Sequence, residues 1–331
     1  MLNLNDKLTN KKFLIYGYGK TGHSSYNFLK NKNNISIYDD KKKNKQFFIS
    51  VNKIKLTKFD YIILSPGINI NECRLKNYLK KNKKKIITDL DIFYIKNPNN
   101  LKITITGTNG KSTTARLLYN ILKDQNKDVI LAGNIGIPIL SKMTIKPNTI
   151  FVIEASSYQI DYSQYYKTNY AFILNISPDH LERHRSIQKY AHAKFKLILN
   201  QKKNNYAFIE NNKYLIKEIK SNKVQSKVIK VKKKINMIKK IISNDYLNNI
   251  NNLNNLSFIF EFIKVYKLSR TKLLNTVNSF KGLDFRQQII YKNKLVTIIN
   301  DSKSTSFSSS INLLKSYNNI YWILGGIAKK G

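Results

Sequence analysis

The sequence predicts an α/β fold built on parallel sheets, and three observations carry that expectation. Short β-rich runs alternate with helical stretches from residue 12 onward, the βαβ rhythm that lays strands side by side in one direction. Two of those runs end in glycine turns that open helices, at Gly17–Gly22 and at Gly107–Gly110. Carboxylates, scarce in this chain, recur where strands end, at Asp39, Glu154 and Asp301.

Taken in order, residues 12–17 form the first strand, and Gly17-Tyr18-Gly19-Lys20-Thr21-Gly22 leads into a helix that reaches Leu29. A second strand at 35–38 ends in Asp39-Asp40, a third at 61–64 ends in Ser65-Pro66-Gly67, and 86–87 is a fourth. Asn97-Pro98-Asn99-Asn100 reads as a linker, closing a first domain over 1–97. A second unit, 98–283, has strands at 102–106, 129–131, 149–153, 171–175 and 206–209. Residues 202–256 are too rich in Lys and Asn to assign further. A third unit, 284–331, offers a strand over 288–299, a helix over 305–315, a strand over 320–324 and then Gly325-Gly326. A lone β-α-β cannot bury its apolar faces, so either this domain is incomplete or its elements pack on the second.

Composition narrows the function classes. There is no apolar run near the roughly 20 residues of a membrane span, and the start, Met1-Leu2-Asn3-Leu4-Asn5-Asp6, is too polar for a signal peptide. The single cysteine, Cys73, excludes a disulfide framework and a Cys-based zinc site, so a cytoplasmic protein is expected. The formal charge is +40, from 59 Lys+Arg against 19 Asp+Glu. Lysine dominates over arginine and spreads along the whole chain, which argues for compositional drift and against a nucleic-acid face. No nucleic acid is expected as a partner, no membrane either, and the chain is read as a monomer.

Residues 103–114, Ile-Thr-Ile-Thr-Gly-Thr-Asn-Gly-Lys-Ser-Thr-Thr, carry the sharpest chemistry. A strand, a glycine turn and a helix N-terminus bring backbone N–H groups and the helix dipole onto an anion. Gly107, Thr108, Asn109 and Gly110 form the loop, Lys111 supplies a charge for the β/γ-phosphates, and a hydroxyl of Ser112 or Thr113 can sit on Mg²⁺. The usual G-x-x-x-x-G-K-S spacing is not kept, because position 105 is Ile; the tighter turn still points to ATP.

Gly17-x-Gly19-x-x-Gly22 with Asp39 about twenty residues on matches the dinucleotide fingerprint, which alone would indicate NAD or FAD. A second nucleotide loop downstream favours a nucleotide-diphosphate substrate instead. Glu154, at the end of a buried-looking strand, is placed to hold Mg²⁺ beside the phosphate loop; an exposed acid opening a helix is the alternative. His180, after Pro178-Asp179, is a metal ligand or a capping side chain. His184 and His192 read as solvated, and His23 has no assignment. In the helix over 186–200, Ile187, Tyr190, Ala191, Phe195 and Ile198 trace an inward stripe, and Lys194 lies on it. An inward lysine costs desolvation unless it is paired or modified, although a stem snorkelling along the edge would also satisfy the spacing. Asn300-Asp301-Ser302-Lys303-Ser304-Thr305 suits a ribose, a phosphate or a carboxylate, or is an ordinary polar loop.

Together these stretches resemble, in order, the Mur ligases of peptidoglycan synthesis, with further matches at Gly133-Asn134-Ile135-Gly136, Glu154-Ala155-Ser156-Ser157-Tyr158-Gln159 and Leu324-Gly325-Gly326. The resemblance is nearest to the D-glutamate-adding branch. It implies a Rossmann-like N-terminal domain for the UDP part of the substrate, a central P-loop ATPase-like domain, and the start of an incomplete Rossmann-like C-terminal domain for the amino acid. It further implies ATP-dependent joining of D-glutamate to UDP-N-acetylmuramoyl-L-alanine through an acyl phosphate, with two Mg²⁺. By the same resemblance Lys194 is carbamylated, and with Ser112, Glu154 and His180 it holds metal. Lys111, Lys194 and His180 fall on catalytic positions, and Asn255, Arg286, Asp301 and Lys303 on ATP contacts. Gly17–Gly22, Asp39, Ser65, Pro66, Gly67 and Asn134 contact the UDP substrate, and Thr305 and Lys329 the amino acid. Two stretches depart from the family pattern: its His-Asn-x-x-Asn segment reads Asn251-Asn252-x-x-Asn255, and its Pro-His-Arg segment reads Asp284-Phe285-Arg286. The competing readings are a folylpolyglutamate-type or other Mur ligase, an NAD-linked oxidoreductase, and an inactive truncated chain.

Overall fold

The computed structural model describes residues 7–41, 48–304 and 307–326. Four strands form the first sheet: β1 (Lys12–Tyr16), β2 (Asn34–Tyr38), β3 (Tyr61–Leu64) and β4 (Ile86–Ile87), all parallel, in the order β2-β1-β3-β4. The second sheet has β5 (Lys102–Thr106), β6 (Val129–Gly133), β7 (Ile150–Glu154), β8 (Tyr170–Ile173), β9 (Tyr206–Glu210) and β10 (Lys227–Val231). It too is parallel throughout, in the order β10-β9-β8-β5-β7-β6. Strands such as Ile-Thr-Ile and Ile-Phe-Val-Ile are β-branched and buried along their length, as a sheet covered by helices on both faces requires.

The order reverses twice, and both reversals matter. In the first sheet the chain leaves β1 toward β2 and returns to β3 on the other side, so the turns after β1 and β3 face each other across a crevice. In the second sheet β5 stands between β7 and β8, so the turns after those three strands converge. Ligands of open α/β sheets bind at such reversal points, outside the carboxyl ends.

The two sheets share one core. A continuous apolar cluster runs from Phe13, Ile15 and Ile63 through Leu90, Ile92 and Phe93 to Phe151, Ile153 and Ile173. The Phe93 and Phe151 rings meet edge to face with centroids 4.7 Å apart. Around it sit three polar fastenings. The Asp91 carboxylate, in the helix Asp89–Lys96, accepts from Thr88 N, Ser163 Oγ and the backbone N–H groups of Gln164, Tyr165 and Tyr166. Gln159 donates to both oxygens of Asp89 at 3.1 Å. The buried Lys102 ammonium donates to the Asn97 and Asn100 carbonyls at 2.5 and 2.6 Å, and burial lowers its pKa to about 8. The expected linker at 97–100 is therefore a bonded bend.

The segment left unassigned over 202–256 folds as the helix Lys213–Ser221, β10, the short helix Ile235–Lys239 and the start of the long helix Ile250–Tyr266. Two expectations for the last unit are corrected. The single strand over 288–299 is an antiparallel hairpin, β11 (Gln288–Lys292) with β12 (Thr297–Asn300). Its turn is made by Asn293, whose Oδ1 accepts from Leu295 N and Val296 N at 2.8 and 2.6 Å, an Asx-type closure that needs no glycine. Residues 320–324 form no strand: among the described residues no partner pairs with them, and Tyr321 and Ile323 are fully exposed. The helix expected over 305–315 is present as Phe307–Leu314. No helix among the described residues is long and apolar enough to cross a membrane.

Candidate active site

The loop after β5 is shaped from its neighbour in the sheet. Asn175, just past β8, accepts from Thr108 N and Asn109 N at 3.0 and 2.7 Å and donates to the Asn109 carbonyl. Gly110 opens the helix Lys111–Asp124 at φ +81°, and a Cβ there would lie 2.3 Å from the amide of Asn255, which packs directly on the loop. Four residues expected at the phosphate site, Gly107 through Gly110, thus form a braced turn at a helix N-terminus.

Two lysines converge on it. Lys111 Nζ donates to the carbonyls of Gly107 and Thr108 at 3.0 and 2.7 Å. Lys194, 1% exposed, reaches the same Gly107 carbonyl at 2.9 Å and lies 4.5 Å from the centroid of the Tyr190 ring. Burial first, and then the charge of Lys111, hold the Lys194 amine well below its ordinary pKa; Asp179 and Glu154 oppose that shift. Burial lowers Lys111 as well, with Arg286 adding to the effect and Glu154 and Asp179 resisting. Glu154, at the end of β7, is buried, and its Oε2 has no hydrogen-bond partner among the described residues. Ser112 and Thr113 are buried in the first turn of the helix.

His180 holds a left-handed backbone at φ +55°, between Asp179 at 3.5 Å and Glu182 at 3.6 Å. His184, expected in solvent, is buried: its Nε2 lies 3.0 Å from Ser157 Oγ and its ring stacks on Tyr158. That burial lowers its pKa to about 4. Of the covering rings, Tyr158 comes from a separate segment, which local spacing could not show, and Tyr190 from the helix that follows directly. His192 pairs with Glu218 at 3.0 Å, and the ring of His23 lies against that of Tyr18.

The first crevice lies between the turns after β1 and β3. Ser65 Oγ donates to the Gly17 carbonyl at 2.7 Å, and the Asp39 carboxylate accepts from Tyr18 N at 2.6 Å. Gly22 is required there, since a Cβ would fall 2.0 Å from the Gly17 carbonyl oxygen. Gly19, Lys20 and Gly67 are exposed at the rim, with Thr21 and Pro66 half-buried. Asn134 is exposed on the turn after β6 and its N–H donates to the Glu154 carbonyl. Asp301 accepts from Gln287 N, Ser304 Oγ and Ser310 Oγ, and Lys303 N donates to the Phe285 carbonyl, so this loop is tied to the Arg286 turn. Thr305 and Lys329 lie outside the described residues. Asn175 and Arg183 escaped the sequence reading; the position of Asn175 at a strand end was its only sign.

A fold of two parallel sheets with a braced phosphate turn, buried lysines and an orphan carboxylate fits the class of enzymes that use a nucleotide phosphate, and comparison narrows that class to ligases. Residues 105–277 match the Mur ligase middle domain, and the chain belongs to the Mur ligase family. UDP-N-acetylmuramoylalanine–D-glutamate ligase of Rickettsia bellii (strain RML369-C) is 33% identical over 348 residues, covering 96% of this chain and 77% of that one. The protein of the same name from Francisella tularensis subsp. novicida (strain U112) is 34% identical over 336 residues, 97% of this chain and 75% of that one. Among solved structures, MurC from Thermotoga maritima aligns with a TM-score of 0.55 at 16% identity, over 92% of this chain and 77% of that one. MurF ligase from Thermotoga maritima in complex with ADP gives 0.54 at 15%, over 94% and 75%.

Proposed function

We propose that this protein joins D-glutamate to UDP-N-acetylmuramoyl-L-alanine at the cost of ATP, forming the amide through an acyl phosphate. The observation that carries the reading is the convergence of Lys111, Lys194 and the unpartnered Glu154 on one phosphate turn, beside a second crevice suited to a nucleotide diphosphate. The relatives that bear this activity in their names support the choice of substrates.

In this reading residues 1–97 hold the UDP part, 98–283 bind ATP, and 284–331 begin the amino-acid domain, working in the cytoplasm as a monomer. The turn Gly107–Gly110 and the helix N-terminus hold the β- and γ-phosphates, and Lys111 leaves its own loop carbonyls to meet them. Its charge, close to where negative charge gathers on the transferred phosphoryl group, stabilises the in-line attack of the L-alanyl carboxylate. Asn255, Arg286, Asp301 and Lys303 line the nucleotide. Bound Mg²⁺ ions supply charge neutralisation at the phosphoryl oxygens. Ser112, Glu154 and His180 fit that role, since the Glu154 oxygen is buried and otherwise unsatisfied. No cluster of three or more His, Cys, Asp or Glu stands ready for a metal among the described residues. Carbamylation would add the missing carboxylate: the neutral Lys194 amine attacks carbon dioxide, an N–C bond forms and one proton leaves to water. The depressed amine pKa supports this, because only the neutral form is nucleophilic.

The test is phosphate release by the purified protein. It should require ATP, Mg²⁺, UDP-N-acetylmuramoyl-L-alanine and D-glutamate together; release indifferent to the choice of amino acid would contradict the D-glutamate step.

A further inference from the structure

The joint between the two sheets contains a cation that the proposed chemistry does not use. Arg183, in the turn Leu181–His184, is 9% exposed. Its guanidinium stacks over the Tyr158 ring at 3.7 Å from the centroid, and Nη1 donates to the Pro66 carbonyl. Those two contacts fix the plane of the group and its rotation within that plane. Nη2 is buried and has no hydrogen-bond partner among the described residues, and no described carboxylate forms an ion pair with Arg183. A buried charged donor without an acceptor costs folding free energy. A side chain needed only to tie Pro66 to Tyr158 could be uncharged.

Its surroundings say what an acceptor would be. Pro66 adjoins Ser65, whose hydroxyl donates to Gly17 in the first crevice. On the other side the Tyr158 ring contacts the ring of His180, at the end of the second crevice, with centroids 5.0 Å apart. The guanidinium thus stands between the nucleotide turn of one sheet and the phosphate site of the other, where an acidic ligand spanning both would pass. A planar, permanently charged fork with one N–H face already held suits an anionic oxygen.

We propose that Arg183 is a specificity-determining residue for the bridging substrate, with Nη1 held on Pro66 and Nη2 donated to an acidic oxygen of the ligand, phosphoryl or carboxylate. This rests on the reading of the substrate given above.

Calorimetric titration of the wild-type chain, Arg183→Lys and Arg183→Gln with UDP-N-acetylmuramoyl-L-alanine, with UDP, and with ATP tests it. Both variants should lose about tenfold or more in affinity for the full substrate, the loss of one charged hydrogen bond, and keep their affinity for ATP. An equal loss with UDP alone assigns the acceptor to the diphosphate; unchanged UDP affinity assigns it to the carboxylate. Full-substrate affinity within twofold of wild type, or a parallel loss toward ATP, would overturn the proposal and leave Arg183 a packing residue. Failure of the wild-type chain itself to bind the sugar nucleotide would instead remove the ligase reading, and this role with it.

Discussion

The turn after β1 and the turn after β5 are both glycine loops running from a parallel strand into a helix, yet their charges are arranged in opposite senses. In the first, a carboxylate already occupies a backbone N–H, Asp39 on Tyr18, and the lysine of the loop, Lys20, points to solvent. In the second, two lysines share the Gly107 carbonyl from inside the protein, and the nearest acids act on them only through space. One backbone plan therefore yields two electrostatic arrangements, a carboxylate-lined turn after β1 and a cation-lined turn after β5. In the proposed reading the first takes the hydroxyl and N–H donors of the sugar nucleotide and the second the phosphoryl donor. Loop geometry brings a phosphate near; the side chains behind the loop decide whether chemistry follows.

Several substitutions would break or sharpen that contrast. Lys111→Ala should lower turnover by about 10³-fold, the scale of losing one preorganised charge at a developing anion, while calorimetric affinity for UDP-N-acetylmuramoyl-L-alanine stays put. Comparable damage to both would mean that the two turns are not separate. Gly22→Ala should do the reverse, because its methyl group would press on the Gly17 carbonyl. The expected result is about a hundredfold weaker binding of the UDP substrate, with ATP affinity retained. Asp91→Ala frees four backbone N–H groups and two hydroxyls, of Thr88 and Ser163, at the joint between the sheets. It should cost about 3 kcal/mol in urea unfolding, with neither loop altered.

The smallest effect concerns pH. Burial raises the pKa of Asp89 from 3.8 to about 6, so the folded state keeps a proton that the unfolded state releases, and stability falls as pH rises from 4 to 6. His184, lowered from 6.5 to about 4, works the other way: the unfolded state takes up the proton first, and stability falls as pH drops through that window. The two trends oppose. Asp89→Asn should therefore make the melting temperature climb more steeply between pH 4 and 6.5 than in wild type, by a few degrees, and a scanning-calorimetry series would read it.

Much of the central site was legible because it is contiguous. Strand, turn, Lys111 and Ser112 follow one another, and helical spacing put Lys194 on the inward stripe but left a snorkelling stem open, a choice the structure decides for burial. What stayed hidden depends on contacts between distant segments. Asn175 braces the phosphate turn from a neighbouring strand some 66 residues away in sequence. One ring that buries His184, that of Tyr158, belongs to an earlier helix, Ser157–Tyr162. The hairpin after Gln288 was misread for a local reason: its turn, Asn293 to Val296, lacks the glycine that usually marks one, and the flanking residues keep an apolar rhythm across it.

Lys102 carries a consequence for the whole molecule. With its ammonium shared among the carbonyls of Asn97 and Asn100, and Phe93 packed on Phe151, a swivel between the first two sheets would strand a buried charge and open the common core. The bonded bend and the shared core thus oppose rotation of one crevice against the other before any reactant arrives. Part of the entropy of bringing phosphoryl donor and acid together has been met during folding, and need not be drawn from the binding of either.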